Sequence, residues 1–164
     1  MANLEFELVS PQDFKLIAKQ WLTGVAVVTA RDRDGQLFGS TMNAISALSL
    51  EPPQFLICVD KGSETGKAIR ENGVFCINYL AKGQERLAAI FARRGPLKFD
   101  GVEYELGSNG APILAGTLGF IECGVSSVHE GGDHLIVVGD VVRTEAREGV
   151  PLGYFRGSFC EIAA

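Results

Sequence analysis

Gly39-Ser40-Thr41-Met42-Asn43-Ala44-Ile45-Ser46-Ala47-Leu48-Ser49-Leu50-Glu51-Pro52-Pro53 is the stretch whose reading decides the fold. It has the run length of a strand, yet Thr41, Asn43, Ser46 and Ser49 are polar where a buried strand is apolar. Buried hydroxyls and amides need hydrogen-bond partners, from protein or from ligand. Pro52-Pro53 stops the run and holds the next connection extended. Two readings are open. One is a strand with a wet face, as antiparallel sheets commonly have. The other is a cradle of backbone groups and hydroxyls for a flat, polar cofactor.

The flanks are read as β structure. Residues 25–30 form an apolar strand, 31–35 a charged hairpin turn, and the next strand starts near Gln36 and continues into the opening stretch. Residues 55–59 are continuously apolar, which predicts a strand buried on both faces. Further strands are expected at 74–80, 102–106, 113–114 and 118–128, with 135–142 returning as a hairpin partner after the turn at 129–134. Asp34-Gly35, Asn72-Gly73, Asn109-Gly110 and Gly131-Gly132 are turn signals between them. The pattern predicts a mostly β fold with short helices, closed or partly closed into a barrel. One domain covers 1–164, with its core over about 14–159.

Three helices are expected. Ser10 caps the first, Pro11 is its first residue and Asp13 lies in its first turn. Phe14, Ile17, Ala18, Trp21 and Leu22 share one face, which is expected to pack on the barrel, with Trp21 in the core, and Gly24 ends the helix. Ser63 caps a second helix ending at Asn72-Gly73, and 84–91 form a third. Residues 92–101 are a basic loop in which Arg93, Arg94 and Lys98 are either solvated or grip phosphate.

Composition excludes several classes. The 164 residues are 46% hydrophobic and 21% charged, a globular balance. A net charge of -5 argues against a general nucleic-acid binder. No apolar run is long enough for a transmembrane helix, and residues 1–5 carry no signal-peptide pattern. Cys58, Cys76, Cys123 and Cys160 are too scattered for a zinc or thioredoxin-type site. The first three lie in apolar runs and are read as small buried hydrophobes in a reducing, cytoplasmic setting.

No nucleophile elbow, P-loop or dinucleotide fingerprint is present, and there are only two histidines. A cofactor cradle with few titrating groups points to chemistry carried by the cofactor itself. The start of the second helix, with Lys61, Ser63 and Thr65, has the donors for a phosphate.

Ser49-Leu50-Glu51-Pro52-Pro53, together with Gly132-Asp133-His134 and then Gly139 after four intervening residues, resembles the short-chain flavin reductases. These are the small components of two-component flavin-dependent monooxygenases, and the resemblance runs from about Phe14 to Phe159. It implies an antiparallel, Greek-key, FMN-binding split β-barrel that works as a homodimer. It also implies hydride transfer from NAD(P)H to FMN or FAD, with reduced flavin supplied to a partner monooxygenase. Thr41, Asn43 and Ala44 would meet the flavin ring and ribityl chain, largely through backbone groups. Ser49 and Leu50 would close over it, and Cys58 and Val59 would offer backbone groups. Lys61, Ser63 and Thr65 would take the phosphate, and Phe91 and Arg93 would approach the flavin, from the same subunit or from the other one. His134 would face and orient the nicotinamide, with Tyr154 and Arg156 nearby. Ala44 and Ala47 stand where the family commonly has serine, which removes two hydroxyls and implies looser flavin binding. A flavin- or haem-binding sensor or carrier on the same barrel is the alternative, but it has no need of Gly132-Asp133-His134. The resemblance leaves open FMN or FAD, NADH or NADPH, and the substrate of the partner.

Overall fold

The chain runs α1 (Pro11–Ala18), β1 (Thr23–Gly24), β2 (Ala26–Arg31), β3 (Leu37–Met42), β4 (Ile45–Leu50), β5 (Pro53–Asp60), α2 (Glu64–Asn72), β6 (Val74–Tyr79), α3 (Glu85–Ala92), β7 (Tyr104–Leu106), β8 (Pro112–Leu114), β9 (Gly119–Gly131), β10 (His134–Ala146), β11 (Leu152–Phe155) and β12 (Ser158–Glu161). The structure is a computed structural model that describes residues 7–95 and 98–162. The signal-peptide reading of residues 1–5 and the Pro96-Leu97 part of the basic loop lie outside the described residues. No helix among the described residues is long and apolar enough to cross a membrane.

Seven strands pair in the order β3-β2-β6-β9-β10-β5-β4, every pair antiparallel. The two outermost strands, β3 and β4, are consecutive in the chain and separated only by Asn43-Ala44. The sheet therefore curls until its first and last strands lie end to end. This is the expected antiparallel split barrel with Greek-key order, because β6 returns to pair with β2 rather than with β5. The single strand expected from Gln36 through the opening stretch is a correction. It breaks at Asn43-Ala44, because its first half pairs with β2 and its second half with β5. The carbonyl of Ala44 accepts from the Cys58 amide at 2.9 Å, which fixes the corner against β5. β1, β11 and β12 form a small second sheet, and β7 pairs with β8.

Burial follows the ladder. Both faces of β2 are covered: Ala26, Val28 and Ala30 enter the barrel core with Ile57, Phe75 and Ile77, while Val25, just before the strand, and Val27 pack with Leu80, Phe91 and Leu152. In β5 only Ile57 and Val59 are buried, whereas Phe55, Leu56 and Cys58 are half-buried. The expected two-sided burial of 55–59 thus fails, because the outer face of β5 borders an open hollow. Cys76 and Cys123 are buried as expected, and Cys58 and Cys160 are intermediate. Buried polar groups are paired. Asn78 donates from Nδ2 to the carbonyl of Val27 at 3.1 Å, and its Oδ1 accepts from the Leu114 amide at 2.8 Å, tying β8 onto the sheet. Glu122 is fully buried, with Arg143 at 3.1 Å and the Asn109 amide at 3.0 Å.

The local signals act as expected at the turns and caps. Gly35 and Gly73 have φ of 90° and 73°, a left-handed backbone that glycine adopts without strain. Ser63 Oγ accepts from Gly66 at 3.3 Å and caps α2. Ser10 Oγ accepts from the Asp13 amide at 3.1 Å and caps α1. α1, however, ends at Ala18 rather than reaching Gly24, and none of its residues is buried. Phe14, Ile17 and Trp21 are 61%, 67% and 77% exposed. Trp21 is therefore not a core residue of this chain. Helical spacing reveals an apolar face but not the surface that covers it.

Candidate active site

The corner between β3 and β4 opens onto two adjoining hollows of about 420 Å³ each, within the roughly 300–1,000 Å³ typical of small-molecule sites. They share Trp21, Thr23, Asn43, Ile45 and Ser46. Phe55, Tyr79 and Leu152 wall the inner hollow; Ala44, Leu56 and Cys58 wall the outer one. Among the described residues, no carboxylate, imidazole, ammonium or guanidinium lines either. Asn43 Nδ2 donates to Thr23 Oγ1 at 3.0 Å, and Ser46 Oγ donates to the Ala47 carbonyl at 3.0 Å. Burial, with a smaller contribution from Cys123, pushes the Tyr79 phenol up to about 12, so it stays a neutral hydroxyl at pH 7. Aromatic and aliphatic walls with a few neutral polar groups fit the ring of the flavin that the sequence resemblance implies. Among the expected contacts, Asn43, Ala44 and Cys58 are brought together here.

A second group gathers where β5 meets α2. His134 lies opposite Asp60 in the ladder, and the Lys61 amide donates to the Asp133 carbonyl at 3.1 Å. Residues read as phosphate-binding and as nicotinamide-facing therefore share one end of the barrel. His134 Nδ1 and Asp133 Oδ1 are 2.7 Å apart, and this bond holds the Asp133 carboxyl below the usual carboxylate range. His134 is 43% exposed, so its ring is presented rather than enclosed. The Lys61 ammonium is paired with Glu130. Ser63 uses its hydroxyl as the α2 cap. Thr65 is 2% exposed, and its hydroxyl is bonded to that of Ser40 at 2.9 Å. A phosphate here would meet Lys61 and Ser63, while the Thr65 side chain is sealed beneath them.

The remaining expected contacts are dispersed. Thr41 donates its hydroxyl to the Ala88 carbonyl at 2.6 Å, so its side chain is committed to α3. Val59 is 2% exposed and a core side chain. Ser49 is half-buried, and Leu50 is 88% exposed at the end of β4. Phe91 is a correction: it is 1% exposed, stacks edge-on with Phe99 at 5.0 Å, and lies under Gly39. A ring so enclosed has no face left for a cofactor in this chain. Arg93 and Arg94 are exposed after α3, whereas Lys98 donates to the carbonyls of Gly39 and Phe91 and is thereby a strut of the fold. Tyr154 pairs with Thr23 across β1 and β11 and stacks on Phe159, and Arg156 Nε donates to Gln20 Oε1 at 2.9 Å. Among the described residues no hydrogen bond or ion pair joins either of them to His134.

Sequence reasoning missed Thr23 and Tyr79 as lining residues. Thr23 carries no motif, and Tyr79 sits in an apolar strand run. Trp21 was visible but read as core.

The comparisons agree with this architecture. Residues 19–163 match the family described as flavin reductase like domain. The chain is 41% identical over 157 residues to the flavin-dependent monooxygenase reductase subunit HsaB of Rhodococcus jostii, covering 95% of this chain and 80% of that protein. It is 36% identical to a flavin reductase of Pseudomonas putida, covering 99% of this chain and 96% of that one. The solved structure of the NADH:FAD oxidoreductase SgcE6 of Streptomyces globisporus superposes with a TM-score of 0.87 at 34% identity, covering 98% of this chain and 100% of that one. With the barrel, the corner hollow and a match over most of its length, this chain belongs to the flavin reductase-like family.

Proposed function

We propose that the protein is an NAD(P)H:flavin oxidoreductase that delivers reduced flavin to a monooxygenase component. The observation that carries this reading is the corner hollow: large enough for a flat ring system, aromatic-walled and, among the described residues, free of charged side chains. Bound flavin supplies the hydride acceptor. The chain's residues bind and orient. Trp21, Phe55 and Tyr79 offer flat or apolar surface, and Asn43, Thr23 and Ser46 offer neutral polar contacts. The two alanines at 44 and 47 remove side-chain hydroxyls from the same wall, which suits a flavin that leaves after reduction. His134, fixed through Nδ1 by Asp133, orients the nicotinamide. Lys61 and Ser63 are the phosphate contacts. HsaB, the relative at 41% identity, is named as a reductase subunit of a flavin-dependent monooxygenase, which supports a partner of that kind here. The working unit is a homodimer, with the exposed apolar face of α1 and the end of β4 covered by the second copy.

The test is steady-state oxidation of NADH and NADPH with FMN, FAD or riboflavin, or with no flavin. Oxidation that needs added flavin and saturates with it is expected. No oxidation with any pairing, or binding of flavin without turnover, would overturn the reading.

A further inference from the structure

We infer that Arg156 is a positioning residue for flavin: it ties the tip of the β11–β12 hairpin to the segment after α1 and so sets where Trp21 stands in the wall of the corner hollow. This rests on the flavin reading above. β11 and β12 are joined by Arg156-Gly157 alone, with Phe155 opposite Ser158. A two-residue hairpin turn with positive φ at both central positions favours asparagine, aspartate or glycine. Here the two φ values are 51° and 87°, and Arg156 is the one non-glycine residue with positive φ among the described residues. Backbone strain of this kind persists where the surrounding contacts hold it, and it points to a use for the residue that bears it.

The contacts of Arg156 converge on the end of α1. Its amide donates to the Lys19 carbonyl at 3.0 Å, and its Nε donates to Gln20 Oε1 at 2.9 Å. Its guanidinium lies over the Phe155 ring, 5.2 Å from the centroid. Thr23 and Gly24 pair with Tyr154 and Gly153 of the same hairpin. Trp21 lies between these two attachments. No residue of α1 is buried, and Trp21 is 77% exposed although it lines both hollows. The place of Trp21 in this chain is therefore set by its neighbours' bonds to the hairpin rather than by enclosure. A wall held in place beforehand spares the ligand the cost of ordering it. Without the Gln20–Arg156 bond, flavin binding has to supply that ordering.

The chain has a single tryptophan, so indole emission reports on Trp21 alone. Arg156→Gly suits the left-handed backbone and keeps the amide, but removes the guanidinium. Gln20→Ala removes the same side-chain bond from its other end. Each should weaken riboflavin binding, read from quenching of flavin fluorescence without turnover, by about three- to tenfold, the scale of one hydrogen bond. The double variant should bind no worse than either single one, because both remove one bond. With no flavin present, the fluorescence anisotropy of Trp21 should fall in each variant. Unchanged riboflavin affinity in either folded variant would overturn the inference, and so would losses that add in the double variant. Weaker binding with unchanged Trp21 anisotropy would also overturn it, since Arg156 would then act on the ligand directly. If Arg156→Gly does not fold, Gln20→Ala decides through affinity and anisotropy together. Wild-type protein that leaves riboflavin unquenched would overturn the flavin reading and this inference with it.

Discussion

Gly139 and Phe75 meet so closely that a Cβ on the glycine would lie 2.6 Å from the phenylalanine ring and 2.7 Å from the Cβ of Cys123. The final glycine of Gly132-Asp133-His134-x-x-x-x-Gly139 is thus a packing residue, set at a bulge in the β9–β10 ladder. Gly139→Ala should lower the unfolding free energy by about 1–3 kcal/mol, the usual cost of overpacking a core. Urea unfolding checks it, and a variant as stable as the wild type would show that the barrel yields there.

The His134 half of the motif acts differently. His134→Ala should raise the KM for the nicotinamide, slow hydride transfer, or both, by a few tens-fold, on the order expected when orientation is lost but the cofactor still carries the chemistry. Flavin affinity should stay unchanged. Normal nicotinamide kinetics with weakened flavin binding would move His134 into the flavin site.

Lys61 is held by Glu130, and a flavin phosphate would have to compete with that carboxylate. Lys61→Glu should weaken FMN and FAD but not riboflavin, which has no phosphate. Glu130→Gln should act in the opposite sense and tighten FMN and FAD but not riboflavin. Equal changes for FMN and riboflavin in both variants would remove Lys61 from the phosphate site.

The apolar face of α1 gives a prediction about assembly. Phe14 and Ile17 line neither hollow, so replacing both with serine should raise the dimer dissociation constant by about tenfold or more without direct contact to flavin. Sedimentation should give twice the chain mass of 17.6 kDa for the wild type. Wild-type monomer at micromolar concentration would defeat the prediction.

Alkaline pH should destabilise the fold through two thiols. Burial, helped by the Asp140 charge, pushes Cys123 up to about 12, and burial with Glu122 beside it pushes Cys76 higher still. The ordinary thiol value is near 9.0. Above it the unfolded chain releases protons that the folded chain keeps, so the stabilisation is complete below pH 9 and declines as pH rises toward 12. The slope is about 1.4 kcal/mol per pH unit for each thiol. Melting curves from about pH 8 to 10.5 should show this fall, and Cys123→Ala should reduce its slope by roughly half.

Features that depend on a few neighbouring residues were legible in the sequence. Gly35 and Gly73 need a left-handed backbone, and Ser10 and Ser63 cap helices through residues three positions on. Features that depend on which strand lies beside which were not. Nothing local tells that residues 37–50 serve both ends of a sheet, because that follows from strand order. The Asn43–Thr23 bond joins residues 20 apart through a corner that only closure creates. Phe91 was assigned to the cofactor by resemblance, and the ring proved to lie under Gly39 because α3 packs against β3. Of the candidate site, the corner stretch was found, but the walls opposite it came from Trp21 and Tyr79, whose spacing spoke only of core.

The split between β3 and β4 leaves the two halves of one run with unequal protection. β3 pairs on one side with β2, and α3 lies against it, with Thr41 bonded to Ala88 and Phe91 packed under Gly39. β4 pairs only with β5 among the described residues, and it ends in Leu48 and Leu50, 48% and 88% exposed. An open strand edge with apolar ends is a template for non-native pairing with another molecule. The same bend that builds the hollow therefore leaves the second half-strand as the adhesive margin of the sheet, and solubility of the single chain depends on that margin being covered.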